Sequence, residues 1–329
     1  MILHQDKKEF IKAVNFTAQW MGIEAIYVEK DYWVTYALFE IFNNEIGKDT
    51  IFKGGTALSK CYNMIERFSE DIDLVILRRE GETDNKLKAK LKAISTVVEA
   101  TLPEIAIEGI THKMGMNRKT AHAYNKVFKG SYGQVRDVII LESTWLGYYE
   151  PYTTKSILSF VGNMMLNNGQ TDVAKANGLL PFDLLVLEPI RTICEKIMSL
   201  VRFSYGDNPI NDLKKKIRHI YDLHQLFKQQ EFSAFFHSKS FDEMLLKVAN
   251  ADVISFKNNN KWLNHHPKEA LIFKDLENVW QELKPIYNND FRNLVYGEFP
   301  KETELKETLK MIEARLKTIS WTIKIETKE

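Results

Sequence analysis

Two helices at the start of the chain are predicted by apolar residues that recur at three- and four-residue spacing. The first covers Asp6–Met21, and the second covers Glu29–Phe42 with Trp33 and Ile41 on its buried side. A short β-rich run, Thr50–Lys53, follows them and ends at two glycines. The pattern therefore predicts a helical start that leads into a strand and a glycine turn.

The segment after the glycines alternates between helical and strand patterns. Helical spacing covers Thr56–Met64 and Lys86–Ala100, while the run DIDLVIL at Asp71–Leu77 is typical of a strand. Further strands are predicted at Ile105–Thr111, Ala121–Lys129 and Val135–Ser143, with a hairpin turn at Gly130–Gly133. The order strand, glycine turn, helix, strand is the beginning of an α/β unit.

Beyond Trp145 the pattern becomes almost entirely helical. Helices are predicted at Asp183–Val201, where Pro189 would kink or restart the helix, and at Asp212–Lys228, Phe241–Ala251, Pro267–Leu283 and Lys301–Thr318. A polar stretch at 167–176 precedes them, so we expect a boundary near Asn168 between domains 1–168 and 169–329. The prediction is an α+β protein: an α/β-like core with a mixed sheet, then a mainly α-helical C-terminal domain.

Composition and charge narrow the class of protein. A chain of 329 residues, 44% hydrophobic and 27% charged, suits a globular protein of two domains. Lys and Arg number 45 against 44 Asp and Glu, so the net charge does not point to a polyanionic partner. Because there is neither a signal-peptide pattern nor an apolar run of about 18 residues, we expect a cytoplasmic protein with no membrane partner. Two cysteines, Cys61 and Cys194, make neither a disulfide framework nor a zinc site.

The window Ile51–Ile76 carries the first candidate chemistry. Gly54 and Gly55 end a predicted strand, where bare backbone amides and the following helix can approach an anionic phosphate. A tight structural turn is the alternative interpretation. The window is not a P-loop, because Ser59 precedes Lys60 where that motif requires glycine.

Asp71 and Asp73 add a pair of acids at the start of the next strand. Alternation along a strand places both side chains on one face, where the two negative charges repel each other. A divalent cation between them would relieve that repulsion, and carboxylate oxygens are the ligands that Mg²⁺ prefers. The pair therefore predicts a site for Mg²⁺ or Mn²⁺ that acts on an NTP, with a solvated strand end as the alternative.

Gly-Gly, helix and Asp-x-Asp in this order resemble the DNA polymerase β type nucleotidyltransferase superfamily. The fuller string GGTALSK…RFSEDIDL resembles the AbiEii/AbiGii toxin family within it. Three more patterns follow that family's order: EKDYWVTYAL at 29–38, EPIRTICEKIMSL at 188–200 and RHIYDLHQL at 218–226. The fifteen residues between Gly55 and Asp71 exceed the usual superfamily spacing and favour this family. The resemblance implies a toxin enzyme of a toxin–antitoxin, abortive-infection and phage-defence system.

The resemblance also implies roles for individual residues. Asp71 and Asp73 would be catalytic metal ligands, and the nucleotide phosphates would be lined by Gly54, Gly55, Thr56 and Ser69. A third metal-binding acid is expected from a neighbouring strand. The candidates are Glu142, which we prefer for its likeness to the family's strand ending, and Asp137.

Two further catalytic residues are implied in the helical half of the chain. Lys196 would direct its ammonium group at the triphosphate, and as a helical lysine it is expected to be exposed. Asp222 would orient Lys196 or the acceptor. An intrahelical pair between Asp222 and Arg218 is the alternative.

A basic segment, 109–136, contains no Asp or Glu. Its aromatic residues are Tyr124, Phe128 and Tyr132, and its cations are Lys113, Arg118, Lys119, Lys126, Lys129 and Arg136. Cations neutralise phosphates and aromatic rings stack on bases, so the segment resembles an RNA-binding ribbon. A solvated basic hairpin is the alternative.

The sequence therefore favours a metal-dependent nucleotidyltransferase toxin that transfers nucleotides from an NTP to RNA, at the 3′ acceptor end of tRNA, and that has a cognate antitoxin. A small-molecule nucleotidyltransferase of the antibiotic-modifying kind is the second hypothesis. The third is an NTP-binding regulator without catalysis. The basic segment favours RNA over a small acceptor, because a small acceptor needs an acidic or closed pocket.

Overall fold

The computed structural model of the protein describes residues 1–113, 115–130, 135–147 and 149–325. By contacts between residues, the chain divides into two units. Unit 1 comprises Met1–Asn63, Arg67–Trp145 and Tyr152–Leu187, and unit 2 comprises Met64–Glu66, Leu146–Pro151 and Glu188–Glu329. Unit 1 contains a mixed sheet and unit 2 is built from helices, so the predicted α+β class is confirmed.

The sheet of unit 1 has seven strands in the order β3-β4-β5-β2-β1-β7-β6. The strands are β1 (Thr50–Lys53), β2 (Ile72–Ile76), β3 (Glu104–Ile105), β4 (Asn117–His122), β5 (Ile139–Thr144), β6 (Tyr152–Ile157) and β7 (Phe182–Leu187). β2 runs parallel to β5 and β1 runs parallel to β7, whereas the other neighbours are antiparallel. β5, β2 and β1 are therefore adjacent central strands, and their ends carry the candidate site.

Three helices of unit 1 begin at a residue whose side chain caps the first turn. The helices of the unit are α1 (Lys7–Met21), α2 (Ala25–Phe42), α3 (Gly54–Lys60), α4 (Asp84–Glu99), α5 (Phe160–Asn167) and α6 (Thr171–Ala176). The Asp6 side chain accepts hydrogen bonds from two backbone amides in the first turn of α1. Thr83 and Ser159 cap α4 and α5 in the same way. These ends confirm the predicted helices at Asp6–Met21 and Lys86–Ala100 to within two residues.

α2 forms the core of unit 1 and is buried on nearly its whole circumference. It packs against α1, α4 and α5 and contacts β5 and β7. Val28, Tyr32, Val34 and Leu38 join one hydrophobic cluster with residues of the sheet. The predicted buried side was therefore too narrow, because a helix at the centre of the unit has packed neighbours on all its sides.

Unit 2 consists of helices packed around α7. The helices are α7 (Pro189–Phe203), α8 (Pro209–Lys214), α9 (Ile217–Phe227), α10 (Gln230–Phe236), α11 (Lys239–Ser255), α12 (Leu271–Lys274), α13 (Leu276–Ile286) and α14 (Glu302–Leu316). α7 contacts α9 and α11, and α14 contacts α9 and α13. Pro189 is the first residue of α7, where a missing amide proton costs nothing.

The prediction was wrong between Trp145 and α7. Strand β6 was missed, and the predicted helix at Asp183–Val201 is two elements, β7 followed by α7. β7 reads FDLLVL because it lies inside the sheet, and a short run of that kind lacks the alternation that distinguishes a strand from a helix. The polar stretch at 167–176 contains α6 within unit 1, so the contact-based division comes at Leu187, later than the expected boundary near Asn168.

The strands around the basic segment also differ from the prediction. β3 contains only Glu104–Ile105, and β4 ends at His122, so most of the predicted strand Ala121–Lys129 is irregular. β5 begins at Ile139, four residues after the predicted start at Val135. The predicted turn at Gly130–Gly133 lies outside the described residues except for Gly130.

Candidate active site

The junction between β1 and α3 brings Gly54 against the carboxylate of Asp73. Gly54 has a φ of +82°, and a Cβ atom at this position would lie 2.3 Å from Asp73 Oδ2. Asp73 faces Lys53 across the β1–β2 pair, so the strand register sets this approach. Glycine is needed here for two separate reasons, its left-handed backbone and the absence of a side chain.

We expect Gly54→Ala to lower both stability and nucleotide transfer. The left-handed backbone costs about 1–2 kcal/mol for alanine, and displacement of the Asp73 carboxylate adds to that. Gly81→Ala is the matched control, because Gly81 has a φ of +77° with no atom within 4 Å of an added Cβ. Urea unfolding and transfer rates of both variants measure the difference. Equal losses in the two variants would show that the contact with Asp73 is unimportant.

Two adjacent acids, Asp73 and Glu142, lie between two lysines across the central strands. Asp73 faces Glu142 in the parallel β2–β5 pair, and Glu142 faces Lys119 in the antiparallel β4–β5 pair. Lys119 Nζ lies 2.8 Å from Glu142 Oε2. Asp71, just before β2, has Arg136 Nη1 at 3.5 Å from its Oδ1 atom. The sheet therefore places Glu142 beside Asp73, and Asp71 precedes Asp73 by two residues at the start of β2.

This concentration of negative charge changes the ionisation of the site. Burial, and then the charges of Glu142 and Asp71, raise the pKa of Asp73 to about 7. Burial disfavours the charged form of Lys119, but the carboxylates of Glu142, Asp71 and Asp73 outweigh burial and raise its pKa. The acids thus repel one another as the sequence predicted, and nearby cations offset part of the repulsion.

The donors of the site fit a divalent cation in kind. Asp71 and Asp73 offer carboxylate oxygens, and within the described ranges the buried Oδ1 atom of Asp71 accepts no hydrogen bond. Yet no three His, Cys, Asp or Glu side chains in the described part of the chain lie close enough to hold one ion together. Asp71 and Asp73 are therefore suitable as two ligands, whereas a third ligand stays a prediction.

Of the two candidates for a third acid, Glu142 lies beside Asp73 in the sheet. Asp137 instead precedes β5 and forms an ion pair with Lys126. A hydrogen bond from Lys126 lowers the pKa of Asp137, so this carboxylate already has a cationic partner. Glu142 also has a partner in Lys119, but its position in register with Asp73 suits the predicted role better.

Thr56 and Ser69 connect α3 to the segment that carries the acids. Thr56 Oγ1 lies 2.6 Å from the carbonyl oxygen of Asp71 and 3.0 Å from Ser69 Oγ. Since a hydroxyl has one proton, Thr56 donates it to Asp71 and accepts from Ser69. Thr56 is buried, whereas Ser69, Gly54 and Gly55 are only partly buried. The structure thus gives Thr56 an anchoring role, and its contact with phosphate stays a prediction.

Lys196 and Asp222 meet inside unit 2. Lys196 Nζ of α7 lies 2.8 Å from Asp222 Oδ2 of α9, with side-chain exposures of 7% and 0%. The expectation of an exposed Lys196 was therefore wrong. The contact itself agrees with the predicted use of Asp222 to orient Lys196, and it differs from the alternative pairing with Arg218.

The family profile described as Nucleotidyl transferase AbiEii toxin, Type IV TA system matches residues 36–311. The chain belongs to the AbiEii toxin family. It is thus a nucleotidyltransferase of a toxin–antitoxin system, and membership implies an NTP substrate and an antitoxin partner. The match includes all the predicted catalytic residues.

Two other comparisons add little about the function of this AbiEii chain. The crystal structure of JHP933 from Helicobacter pylori is similar at 14% identity, covering 86% of this chain and 90% of that chain with a TM-score of 0.36. A likeness at that level says nothing about what this chain binds. No curated protein matches the sequence.

The basic segment of the AbiEii chain differs from the predicted RNA-binding ribbon. Tyr124 is buried against Trp33 at a centroid distance of 5.9 Å, and Phe128 packs on the hydrophobic cluster of unit 1. Tyr124 is therefore not available to stack on a base, Phe128 is only partly exposed, and Tyr132 lies outside the described residues.

Most cations of the segment already have acidic partners. The ion pairs are Lys113–Glu104, Arg118–Glu104, Lys119–Glu142, Lys126–Asp137 and Arg136–Asp71. Lys126 and Lys129 are exposed, so they are accessible to a polyanion. The acids come from elements outside the segment, which is why its composition alone suggested an unopposed positive surface.

Sequence reasoning missed three consecutive buried charges in α2. Glu29, Lys30 and Asp31 are each less than 5% exposed. Glu29 accepts hydrogen bonds from the backbone amides of Val127 and Phe128, at 2.7 and 3.1 Å. The available signal was a run of alternating charge, EKD, inside the apolar string YVEKDYWV.

Lys30 and Asp31 bind other segments of unit 1. Lys30 forms an ion pair with Glu70, the residue before Asp71. Asp31 forms an ion pair with Lys60 at 2.5 Å and accepts a hydrogen bond from the Phe160 amide at 2.7 Å. Successive residues of a helix point about 100° apart, so the three side chains of this short run can reach different segments around α2.

Within the described ranges, every helix is too short or too polar to cross a lipid bilayer.

Proposed function

We propose that this AbiEii chain transfers a nucleotide from an NTP to RNA, at the 3′ acceptor end of tRNA, with Mg²⁺ or Mn²⁺ as cofactor, as the toxin of a phage-defence system. The observation that carries the proposal is the group of carboxylates on β2 and β5: Asp73 lies opposite Glu142, follows Asp71 by two residues and is placed against Gly54. Such a group of carboxylates is costly unless it binds cationic or electrophilic groups, and nucleotidyl transfer supplies both.

Asp71 and Asp73 would hold the metal ion, with Glu142 as the third acid. The ion would neutralise charge on the triphosphate and on the leaving pyrophosphate. In the transfer, the acceptor hydroxyl oxygen forms a bond to the α-phosphorus while the bond to pyrophosphate breaks, and the hydroxyl proton passes to a carboxylate of the site or to water. The chain's own part is to fix the two carboxylates, which the register of β2 and the buried hydroxyl of Thr56 accomplish.

The remaining residues would bind and orient the substrates. The backbone amides of Gly54 and Gly55 would approach the phosphates beside Asp73, and Ser69, whose Oγ lies 3.0 Å from Thr56 Oγ1, would offer a hydroxyl there. Lys196 would bind the triphosphate as a compact cation whose position Asp222 sets.

An RNA acceptor is supported by the family resemblance and by the exposed lysines of the basic segment. Because Tyr124 is buried and Phe128 is partly buried, recognition would rest mainly on phosphates rather than on stacked bases. Binding dominated by phosphate contacts releases counterions, so its affinity falls steeply as the salt concentration rises.

We expect the protein to label a tRNA-sized band when it is incubated with total RNA, Mg²⁺ and each α-labelled NTP in turn. The four nucleotides are tested separately, and a small aminoglycoside is offered as a competing acceptor. Labelled RNA with one or two nucleotides supports the proposal. Labelled aminoglycoside together with unlabelled RNA would show that the acceptor is a small molecule and not RNA.

Charge reversal tests whether the basic segment meets the RNA. Lys129→Glu should weaken labelling and reduce the slope of log affinity against log salt by about one, because one phosphate contact is lost. Lys48→Glu is the control, since Lys48 is exposed and precedes β1 at the end opposite Lys53. If both variants label RNA as well as the wild type, the acceptor binds elsewhere.

A further inference from the structure

Arg136 has its backbone fixed on both sides by one buried ion pair. Its amide donates hydrogen bonds to both carboxylate oxygens of Glu70, at 2.9 and 3.1 Å. Its carbonyl oxygen accepts from Lys30 Nζ, the partner of Glu70. The side chains of Lys30 and Glu70 are 0% and 1% exposed. Residue 136 therefore lies in irregular chain, yet its amide and its carbonyl oxygen are both hydrogen-bonded.

The arrangement uses two charges that are costly to bury. An ion pair in the interior loses hydration that its own attraction only partly restores, so its remaining hydrogen bonds must also be satisfied. Lys30 and Glu70 satisfy them on the backbone just before β5, including the carbonyl oxygen of Val138 at 2.7 Å from Lys30 Nζ. The pair thus determines where the segment at 136–138 lies.

The side chain of Arg136 emerges beside the predicted catalytic acids. Its Nη1 atom is 3.5 Å from Asp71 Oδ1, and 43% of the side chain is exposed. Glu70 also precedes Asp71 directly in the chain. One buried ion pair therefore positions an acid and a cation next to each other at the edge of the site.

We propose that Arg136 is a phosphate-binding residue of the nucleotide site, and that Lys30 and Glu70 are the residues that position it. This inference rests on the proposed location of the nucleotide at Asp71 and Asp73. A guanidinium group presents several donors in one plane, which matches the oxygens of a phosphate better than a lysine does. Arg136 then belongs to the nucleotide site rather than to the RNA surface of the basic segment.

The test compares Arg136→Gln and Arg136→Lys with the wild type, using inorganic pyrophosphate and each NTP as ligands in the presence of Mg²⁺. Calorimetry should show pyrophosphate binding weakened about tenfold or more by Arg136→Gln and less by Arg136→Lys, since charged hydrogen bonds are lost. Arg79→Gln is the control, because Arg79 follows the other end of β2 and pairs there with Asp49. Its affinity should equal that of the wild type.

The opposite result has a clear meaning. If Arg136 only neutralises Asp71, its removal will leave pyrophosphate binding unchanged or strengthen it, and the inference is overturned. Binding needs no acceptor. Suppose that the wild type binds NTP and that Arg136→Gln weakens this binding, while no RNA is labelled. This combination would contradict only the proposed acceptor.

The positioning role is tested by combining Glu70→Gln with Arg136→Gln. Glu70→Gln alone should weaken pyrophosphate binding several-fold, and it should have no further effect when Arg136 is already replaced. Its loss of stability should be the same in both backgrounds. Losses of affinity that add would show that Glu70 does not act through Arg136. If Glu70→Gln does not fold, Glu70→Asp keeps the charge and permits the same comparison.

Discussion

Asp73→Asn is expected to reduce nucleotide transfer by about a thousandfold or more, because it removes the charged carboxylate that lies against Gly54 and that would hold the metal ion. The same variant should lose the stabilisation that Mg²⁺ with NTP gives the wild type, since a ligand stabilises only the state that binds it. Single-turnover transfer and thermal unfolding, each with and without Mg²⁺, measure the two effects. The isosteric change limits any effect on packing.

Asp137→Asn is the matched control, and its comparison with Glu142→Gln tests which residue is the third acid. Asp137 is an exposed acid paired with Lys126, so its neutralisation should change transfer little. Glu142→Gln should cause a large loss, because Glu142 is the neighbour of Asp73 in the sheet. A larger loss in Asp137→Asn than in Glu142→Gln would exchange their roles. Full metal-dependent stabilisation in Asp73→Asn would place the metal site elsewhere.

Lys196→Met should lower the free energy of unfolding by about 3–5 kcal/mol, because it removes the ammonium group 2.8 Å from the buried carboxylate of Asp222. The effect is far larger than an exposed lysine would give. Equilibrium urea denaturation measures it. Transfer should also be lost, since the proposed triphosphate contact disappears with the ammonium group.

A second replacement separates stability from function. Lys196→Met combined with Asp222→Leu removes both charges and should recover much of the stability, because a buried ion pair is seldom more stable than an apolar pair of similar size. Transfer should stay low in the double variant. A double variant that regained both stability and transfer would assign the pair a purely structural role.

The elements that sequence could predict are those with a strong local period. α1, β1, β2 and α4 were found because spacing of apolar residues or a cap defines them without reference to other segments. β7 was mistaken for a helix because its apolar run reflects neighbours on both faces of the sheet. Its partners, β1 and β6, are far away in the sequence, so nothing local records the pairing.

In the site, too, local features could be predicted from the sequence and long-range contacts could not. Asp71, Asp73 and Gly54 lie within one window, so their proximity follows from strand alternation and a short helix. The pairing of Lys30 with Glu70, and of both with the backbone of Arg136, joins segments that no spacing rule connects. The sequence also could not show that Lys196 is buried, because a single lysine in an amphipathic helix is usually solvated.

The charged run of α2 has a consequence for the order of folding during synthesis. Glu29 finds its amide partners 98 and 99 residues later, Lys30 finds its carbonyl partners 106 and 108 residues later, and Asp31 finds the Phe160 amide 129 residues later. A ribosome adds roughly 5–20 residues per second, so for several seconds after α2 is synthesised these charged side chains lack those backbone partners. Contacts so distant along the chain also slow folding. The part of the sheet that carries Asp71 and Asp73 can therefore complete these contacts only after residue 160 has been synthesised, and the proposed roles of Lys196 and Asp222 would delay activity until still later in translation.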